Sequence, residues 1–339
     1  MPPDRVMPNP NENQNRPIGH KSSKLDLAQT IRCRPPQPAY ILPGLRRRRL
    51  GILTSPGGVG KSFVSLTAAI QLAAGTEVLG GVWGPVTSEG IPVVYMALED
   101  DLEDIALRVH SIAAELGIQS GEKYENLIRN LVICDSEILH PVHEGCDNGL
   151  IFPVGLDGTP VNPSLLIIDT LSRYLGPDID ENNSTAMTHV IKDIEYFLKK
   201  WNAAGLLIHH AAKDAMSDHD REIESTASQA RGSGAITFAA RAAWTLWPPT
   251  RRVYSERMRN LQAHNRDARE DDRDQFLILT QIKRNYGRKH AQQWMRRNSE
   301  GVPVPIPTPE SAVLRSPLVN RSRIGSVLHD EPTTDIARG

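Results

Sequence analysis

Ser55-Pro56-Gly57-Gly58-Val59-Gly60-Lys61-Ser62 follows an apolar run containing Leu50, Ile52 and Leu53. It opens a segment whose apolar positions, Phe63, Leu66, Ala69, Ile70 and Ala73, recur at helical spacing. A strand, a glycine-rich turn and a helix beginning at Lys-Ser are the build of a phosphate-binding loop. The glycines let successive backbone N–H groups curl round phosphate oxygens, and the helix N-terminus adds partial positive charge. Pro56, Gly57, Gly58, Val59, Gly60, Lys61, Ser62 and Phe63 are therefore expected to hold a nucleoside triphosphate. Lys61 would neutralise phosphate oxygens and the Ser62 hydroxyl would ligate Mg²⁺. Ser55 stands where a first glycine is expected, and serine is small enough for that turn.

Working outward, the helix from Lys61 is expected to end near Gly75. Pro92 to Leu98 reads as a buried strand, and Asp100 or Asp101 offers an N-cap to a helix stopped by Gly117. Leu131 to Cys134 is a short strand, and residues 140–163 read as a hairpin or surface insertion. Leu165 to Ile168 is a dense apolar strand ending at Asp169. Val190 to Trp201 reads as a helix and Gly205 to Ile208 as a strand ending at His209-His210, with a late strand at Phe276 to Ile282. Strands alternating with helices imply an α/β fold, a mostly parallel central sheet covered on both faces.

Composition sets the frame. The chain has 339 residues, 39% hydrophobic and 23% charged, with a formal net charge of −1. Residues 1–37 read as a flexible arm, 38–298 as one domain and 299–339 as a disordered Pro-rich tail. No run approaches a membrane span, and Cys33, Cys134 and Cys146 form neither a disulfide framework nor a metal knuckle, so a cytoplasmic setting without membrane partners is expected. The near-neutral charge leaves nucleic acid open, since a ring needs positive charge only at its pore. Arg46 to Arg49 read as a solvated turn before the first strand.

In open α/β sheets, function gathers at the carboxyl ends of the strands. Here those ends carry Lys61-Ser62, Glu99, Asp169 and His209-His210. Asp169 suits a magnesium-holding carboxylate, and Glu99 a base that polarises the attacking water, with Asp100 as competitor. His209 or His210 suits a sensor of the γ-phosphate. Residues 213–229 form a polar loop with Arg231 just beyond, flanked by small residues and suited to an arginine finger entering a neighbouring subunit. Lys283 and Arg284, after the late strand, offer further cations. With aromatic residues at 5%, single-strand binding would lean on the backbone more than on stacking.

These residues bring a family into view. The phosphate loop, Ala97-Leu98-Glu99-Asp100, Leu166-Ile167-Ile168-Asp169-Thr170-Leu171-Ser172-Arg173 and the His-His pair occur in order. Arg231-Gly232-Ser233 and Lys283-Arg284-Asn285-Tyr286-Gly287 follow, with Trp294 and Arg296-Arg297 beyond. Over roughly residues 38–300 the chain resembles the RecA-like ATPases of the RepA type, hexameric replicative helicases of broad-host-range plasmids. The resemblance implies ATP and Mg²⁺ as cofactors, Lys61 and Ser62 on phosphate and metal, Asp169 on the metal and Glu99 as catalytic base. It implies His210, or its neighbour His209, as sensor and Arg231 as a finger supplied in trans, with Lys283 a second candidate. It further implies a homo-hexameric ring passing single-stranded DNA, with a replication initiator or primase as further partner. Asp218, Asp220, Glu222 and Glu224 in the polar loop depart from what a phosphate backbone favours. The alternative is a RecA-like nucleotide switch that assembles on DNA or partner proteins without unwinding.

Overall fold

The computed structural model describes residues 25–34, 39–83, 87–135, 161–177, 179–211, 234–262, 270–285 and 292–306. The chain divides into Met1–Pro38 and Ala39–Gly339. In the first unit, helix α1 spans Leu27–Arg32, so the arm carries one turn and more of regular structure. The cause is local: the Asp26 carboxylate accepts from Gln29 N at 2.9 Å as the N-cap of the helix.

The second unit begins with a small hairpin, β1 (Tyr40–Leu42) and β2 (Leu45–Arg46), then β3 (Leu50–Ser55) and α2 (Lys61–Ala74). Next come β4 (Val93–Ala97), α3 (Leu102–Leu116), α4 (Glu122–Asn130), β5 (Leu131–Cys134), β6 (Leu165–Asp169), α5 (Leu171–Leu175), α6 (Ser184–Trp201) and β7 (Ala204–His210). The chain continues with α7 (Gly234–Ala239), β8 (Ala242–Trp247), α8 (Arg251–Gln262), β9 (Phe276–Arg284), β10 (Gln293–Arg297) and β11 (Pro303–Pro305). Among the described residues β3 to β11 form one sheet in the order β11-β10-β9-β8-β3-β7-β6-β4-β5. From β8 to β5 the neighbours are parallel, and β9, β10 and β11 extend the other edge antiparallel. This is the RecA-like P-loop core, a mostly parallel sheet between helices.

Strand parity builds the two faces. Val93, Tyr95, Ala97, Leu165, Ile167, Leu206 and Ile208 join the core beneath α2 and α3. Val94, Met96, Leu166, Ile168 and Leu207 join the opposite core under α5, α6 and α7. Helix α2 is buried on nearly all sides, which explains its run of small residues, Ala68, Ala69, Ala73 and Ala74. Tyr254 and Met258 of α8 pack with Phe276, Ile278 and Trp294 in a separate cluster on the antiparallel extension.

Several elements differ from the sequence expectation. Helix α4 replaces an unassigned stretch; Asn126 and Asn130 on its buried side donate to backbone carbonyls of Ser88, Ala73 and Glu89, so its polar residues work inside the core. Helix α6 starts before Val190, because Asn183 accepts from Thr185 N and Ala186 N and Met187 already faces the core. Ordered chain also continues past residue 298: β11 pairs with β10, and its prolines sit on the sheet's outermost strand, where missing donors are tolerated. The basic run is not merely solvated. Arg47 donates to Asn202 O (2.9 Å) and Ser164 Oγ (3.0 Å), and Arg48 Nε to Asn202 Oδ1 (2.8 Å). Both guanidinium groups thus meet the C-terminal end of α6, where the helix dipole favours positive charge. The expected insertion lies outside the described residues except for 161–163, as do Cys146, residues 1–24 and the chain beyond 306. Among the described residues no helix is long and apolar enough to cross a membrane.

Candidate functional site: a phosphate loop at the carboxyl edge of the sheet

Local sequence dictates the turn between β3 and α2. Gly58 and Gly60 take positive φ values of +74° and +87°, a region that side chains oppose. Ser55 needs no such freedom, since it is the last residue of β3 and pairs in register with His210. That is why serine can replace the first glycine. Gly60 then opens α2 at Lys61, which puts Lys61 and Ser62 in the helix's first turn with the positive end of its dipole.

The parallel strands bring the expected carboxylates and one histidine to this loop. Glu99, two residues past β4, has Oε2 3.7 Å from Lys61 Nζ and Oε1 3.8 Å from His210 Nε2. Its side chain is one-third exposed, whereas Lys61 is almost covered. Asp100 is engaged elsewhere: Arg108 of α3 grips it through two hydrogen bonds of 2.6 and 3.1 Å. The same guanidinium lies over Phe63, 5.4 Å from the ring centroid. Phe63 therefore belongs to the wall beside the loop.

Parity separates the two histidines. His210 shares the face of Leu206 and Ile208, the face of α2, and so reaches Glu99. His209 shares the face of Leu207 and is fully buried on the other side of the sheet.

Asp169 ends β6 beneath the loop. Burial pushes its carboxyl pKa up, while the hydroxyls of Tyr95 and Ser62 and the charge of Lys61 pull it down; the net direction is upward. Its Oδ2 accepts from the Tyr95 hydroxyl. Its Oδ1 is buried and has no hydrogen-bond partner among the described residues. A buried carboxylate oxygen left over, with the Ser62 hydroxyl acting on the same group, suits a hard divalent cation bound through oxygen. Tyr95 itself was not a sequence candidate. Burial first, then Asp169, push its hydroxyl pKa well above the ordinary value, so it stays a proton donor. The available signal was a tyrosine inside the otherwise apolar Val93-Val94-Tyr95-Met96-Ala97, whose hydroxyl must find a partner when buried.

The late cations separate by strand direction. Lys283 stands opposite Ala243 near the amino end of β8, because β9 runs backwards. Its Nζ donates to Thr237 O (2.8 Å) and Phe238 O (3.4 Å) at the end of α7, and burial lowers its pKa. Within the chain it does not join the cluster around Lys61. Arg297, at the carboxyl end of β10, does reach the loop: its Nη2 donates to Val59 O at 2.6 Å and its Nη1 to Asp274 O at 2.8 Å. Arg296 instead binds Asp272 and Gln275, and Trp294 packs on Phe276. Arg231 and the acidic loop lie outside the described residues.

The solved structures similar to this chain include the following two. One is the KaiC-like protein PH0186 from the hyperthermophilic archaeon Pyrococcus horikoshii OT3, at 16% identity and a TM-score of 0.44, covering 80% of this chain and 100% of that one. The other is the ATPase domain of a second protein, at 11% identity and a TM-score of 0.46, covering 77% of this chain and 86% of that one. The model of the AAA domain family matches residues 14–216, a span that holds the phosphate loop, Glu99, Asp169 and His209-His210. With that match over more than half its length, and with this loop at the edge of this sheet, the chain belongs to the AAA domain family as a RecA-like P-loop ATPase.

Proposed function

We propose that the chain is an ATP hydrolase of the RepA helicase type, which couples turnover to movement along single-stranded DNA in plasmid or mobile-element replication. The observation that carries the catalytic half is the contact of one carboxylate, Glu99, with both Lys61 and His210 at the phosphate loop. ATP draws Lys61 from Glu99 onto its phosphate oxygens, because phosphate carries more charge than one carboxylate. Glu99, released from that cation, takes a proton from the attacking water as the water oxygen bonds to the γ-phosphorus and ADP leaves. Asp100, held by Arg108, is less available for this task. Ser62 and Asp169 would hold Mg²⁺, which would supply positive charge against the phosphate oxygens. His210, sharing Glu99 with Lys61, responds to the same change of charge and, as the last residue of β7, passes it to the chain that follows.

The translocation half rests on the resemblance. Six copies in a ring would let Arg231 complete a neighbour's site, with Lys283 as second candidate. The ring would pass single-stranded DNA and meet a replication initiator or primase, in the cytoplasm. The arm at 1–37 and the part of 299–339 that follows β11 would flank a single ATPase domain. The test is ATPase rate with and without single-stranded DNA, with the mass of the same sample followed by light scattering. Strong stimulation of a roughly hexameric species, followed by opening of a forked duplex, is the expected result. Slow turnover indifferent to DNA, in a smaller species, would replace the helicase with a nucleotide switch.

A further inference from the structure

The metal-holding pair proposed above, Ser62 and Asp169, comes from two elements that no covalent constraint aligns: the first turn of α2 and the end of β6. A third element stands between them. Tyr95 of β4 is fully buried and points to the α2 face of the sheet. In the parallel register Tyr95 pairs with Ile167 and Ala97 with Asp169, so Tyr95 is the diagonal neighbour of Asp169 on one face. Its hydroxyl proton goes to Asp169 Oδ2. Ser65 Oγ, one turn along α2, donates to the Ser62 carbonyl at 3.1 Å and lies 3.0 Å from the same hydroxyl. The Ser62 carbonyl lies 3.4 Å from it. One phenolic oxygen therefore meets the carboxylate of β6 and both serine positions of α2.

We infer that Tyr95 is a positioning residue for the divalent cation: it holds one oxygen of Asp169, turns the other toward the cation, and fixes the distance between Asp169 and Ser62. This inference rests on the site reading above. Three features support it besides the contacts. Oδ1, the oxygen Tyr95 leaves alone, is the buried one without a partner among the described residues. A phenylalanine would fill the same apolar space under α2, so packing alone does not require the hydroxyl. A group that hydrogen-bonds a metal-ligating carboxylate sets its orientation, and its loss typically costs about 10–100-fold in metal affinity.

The test uses the full chain with ADP and Mn²⁺, bound metal being read by electron paramagnetic resonance, and fluorescent ADP binding measured separately in EDTA. Tyr95→Phe should weaken ADP-dependent Mn²⁺ binding about 10–100-fold while leaving metal-free ADP binding within about twofold. Ordinary Mn²⁺ affinity in a folded Tyr95→Phe chain overturns the inference. An equal loss of metal-free ADP binding also overturns it, marking Tyr95 as a packing residue. Should Tyr95→Phe fail to fold, Ser65→Ala removes the serine oxygen beside that hydroxyl. A severalfold weaker Mn²⁺ affinity there supports the inference, and an unchanged one overturns it. A wild-type chain that binds ADP but takes up no Mn²⁺ with it would instead sink the reading of Ser62 and Asp169 as the metal pair.

Discussion

The parallel half of the sheet and its antiparallel extension treat functional residues differently. In β3, β4, β6 and β7 every carboxyl end emerges on one edge, so Lys61, Glu99, Asp169 and His210 gather although they are far apart in sequence. In the extension, direction alternates. Strand β9 runs backwards and leaves Lys283 near the amino end of β8, whereas β10 turns again and delivers Arg297 to the phosphate loop. Charge and chain position therefore do not decide which late cation serves a cis site. Strand polarity does.

The largest test of this contrast is Lys61→Ala, which removes the cation on which the parallel edge converges. Turnover should fall by about 10²–10³-fold or more, as for loss of a main electrostatic donor, with nucleotide binding weakened. Undiminished ATP hydrolysis would leave the loop as a linker. Next, Glu99→Gln should cut turnover by roughly 10²-fold while ATP stays bound in a filter-binding assay. Near-normal turnover would pass the role to Asp100 and make the grip of Arg108 the feature to explain.

Arg297→Ala sharpens the comparison from the other side. It removes a charge-assisted bond to Val59 O but no atom in the catalytic cluster. The KM for ATP should rise about tenfold with kcat nearly unchanged, the lower range for such a half-buried bond. Arg297→Lys should recover part of the loss. Steady-state kinetics that show neither change would mean that the extension is energetically separate from the loop. The smallest effect belongs to the opposite edge of the sheet, where Arg47→Ala loses bonds to Asn202 O and Ser164 Oγ. Urea unfolding should show a loss of about 1 kcal/mol, with ATP turnover unaltered.

Much of this was open to reading along the chain because its signals are local. A glycine-rich turn between an apolar run and a helical period specifies a phosphate loop through backbone φ alone, as Gly58 and Gly60 illustrate. Apolar strands ending in Glu99, Asp169 and His210 specify an edge by the rule that parallel strands finish together. Even the distinction between His209 and His210 was present in the alternation of Leu206, Leu207 and Ile208, once the face of α2 is known. Less local patterns were harder to read. The stretch that forms α4 looks too polar for a core helix, until Asn126 and Asn130 meet carbonyls far away in sequence.

The sequence by itself determined the loop, the sheet type and the carboxylates at its edge, since each follows from backbone preference and apolar period within a few residues. Tertiary structure alone decided the partners. It set Tyr95 on Asp169, Arg297 on Val59 and Lys283 on the end of α7. Those choices depend on register and strand direction between segments distant in the chain, Arg297 and Val59 being 238 residues apart. No local propensity encodes such a distance; only the closed packing of the sheet between its helices fixes which buried polar group finds which.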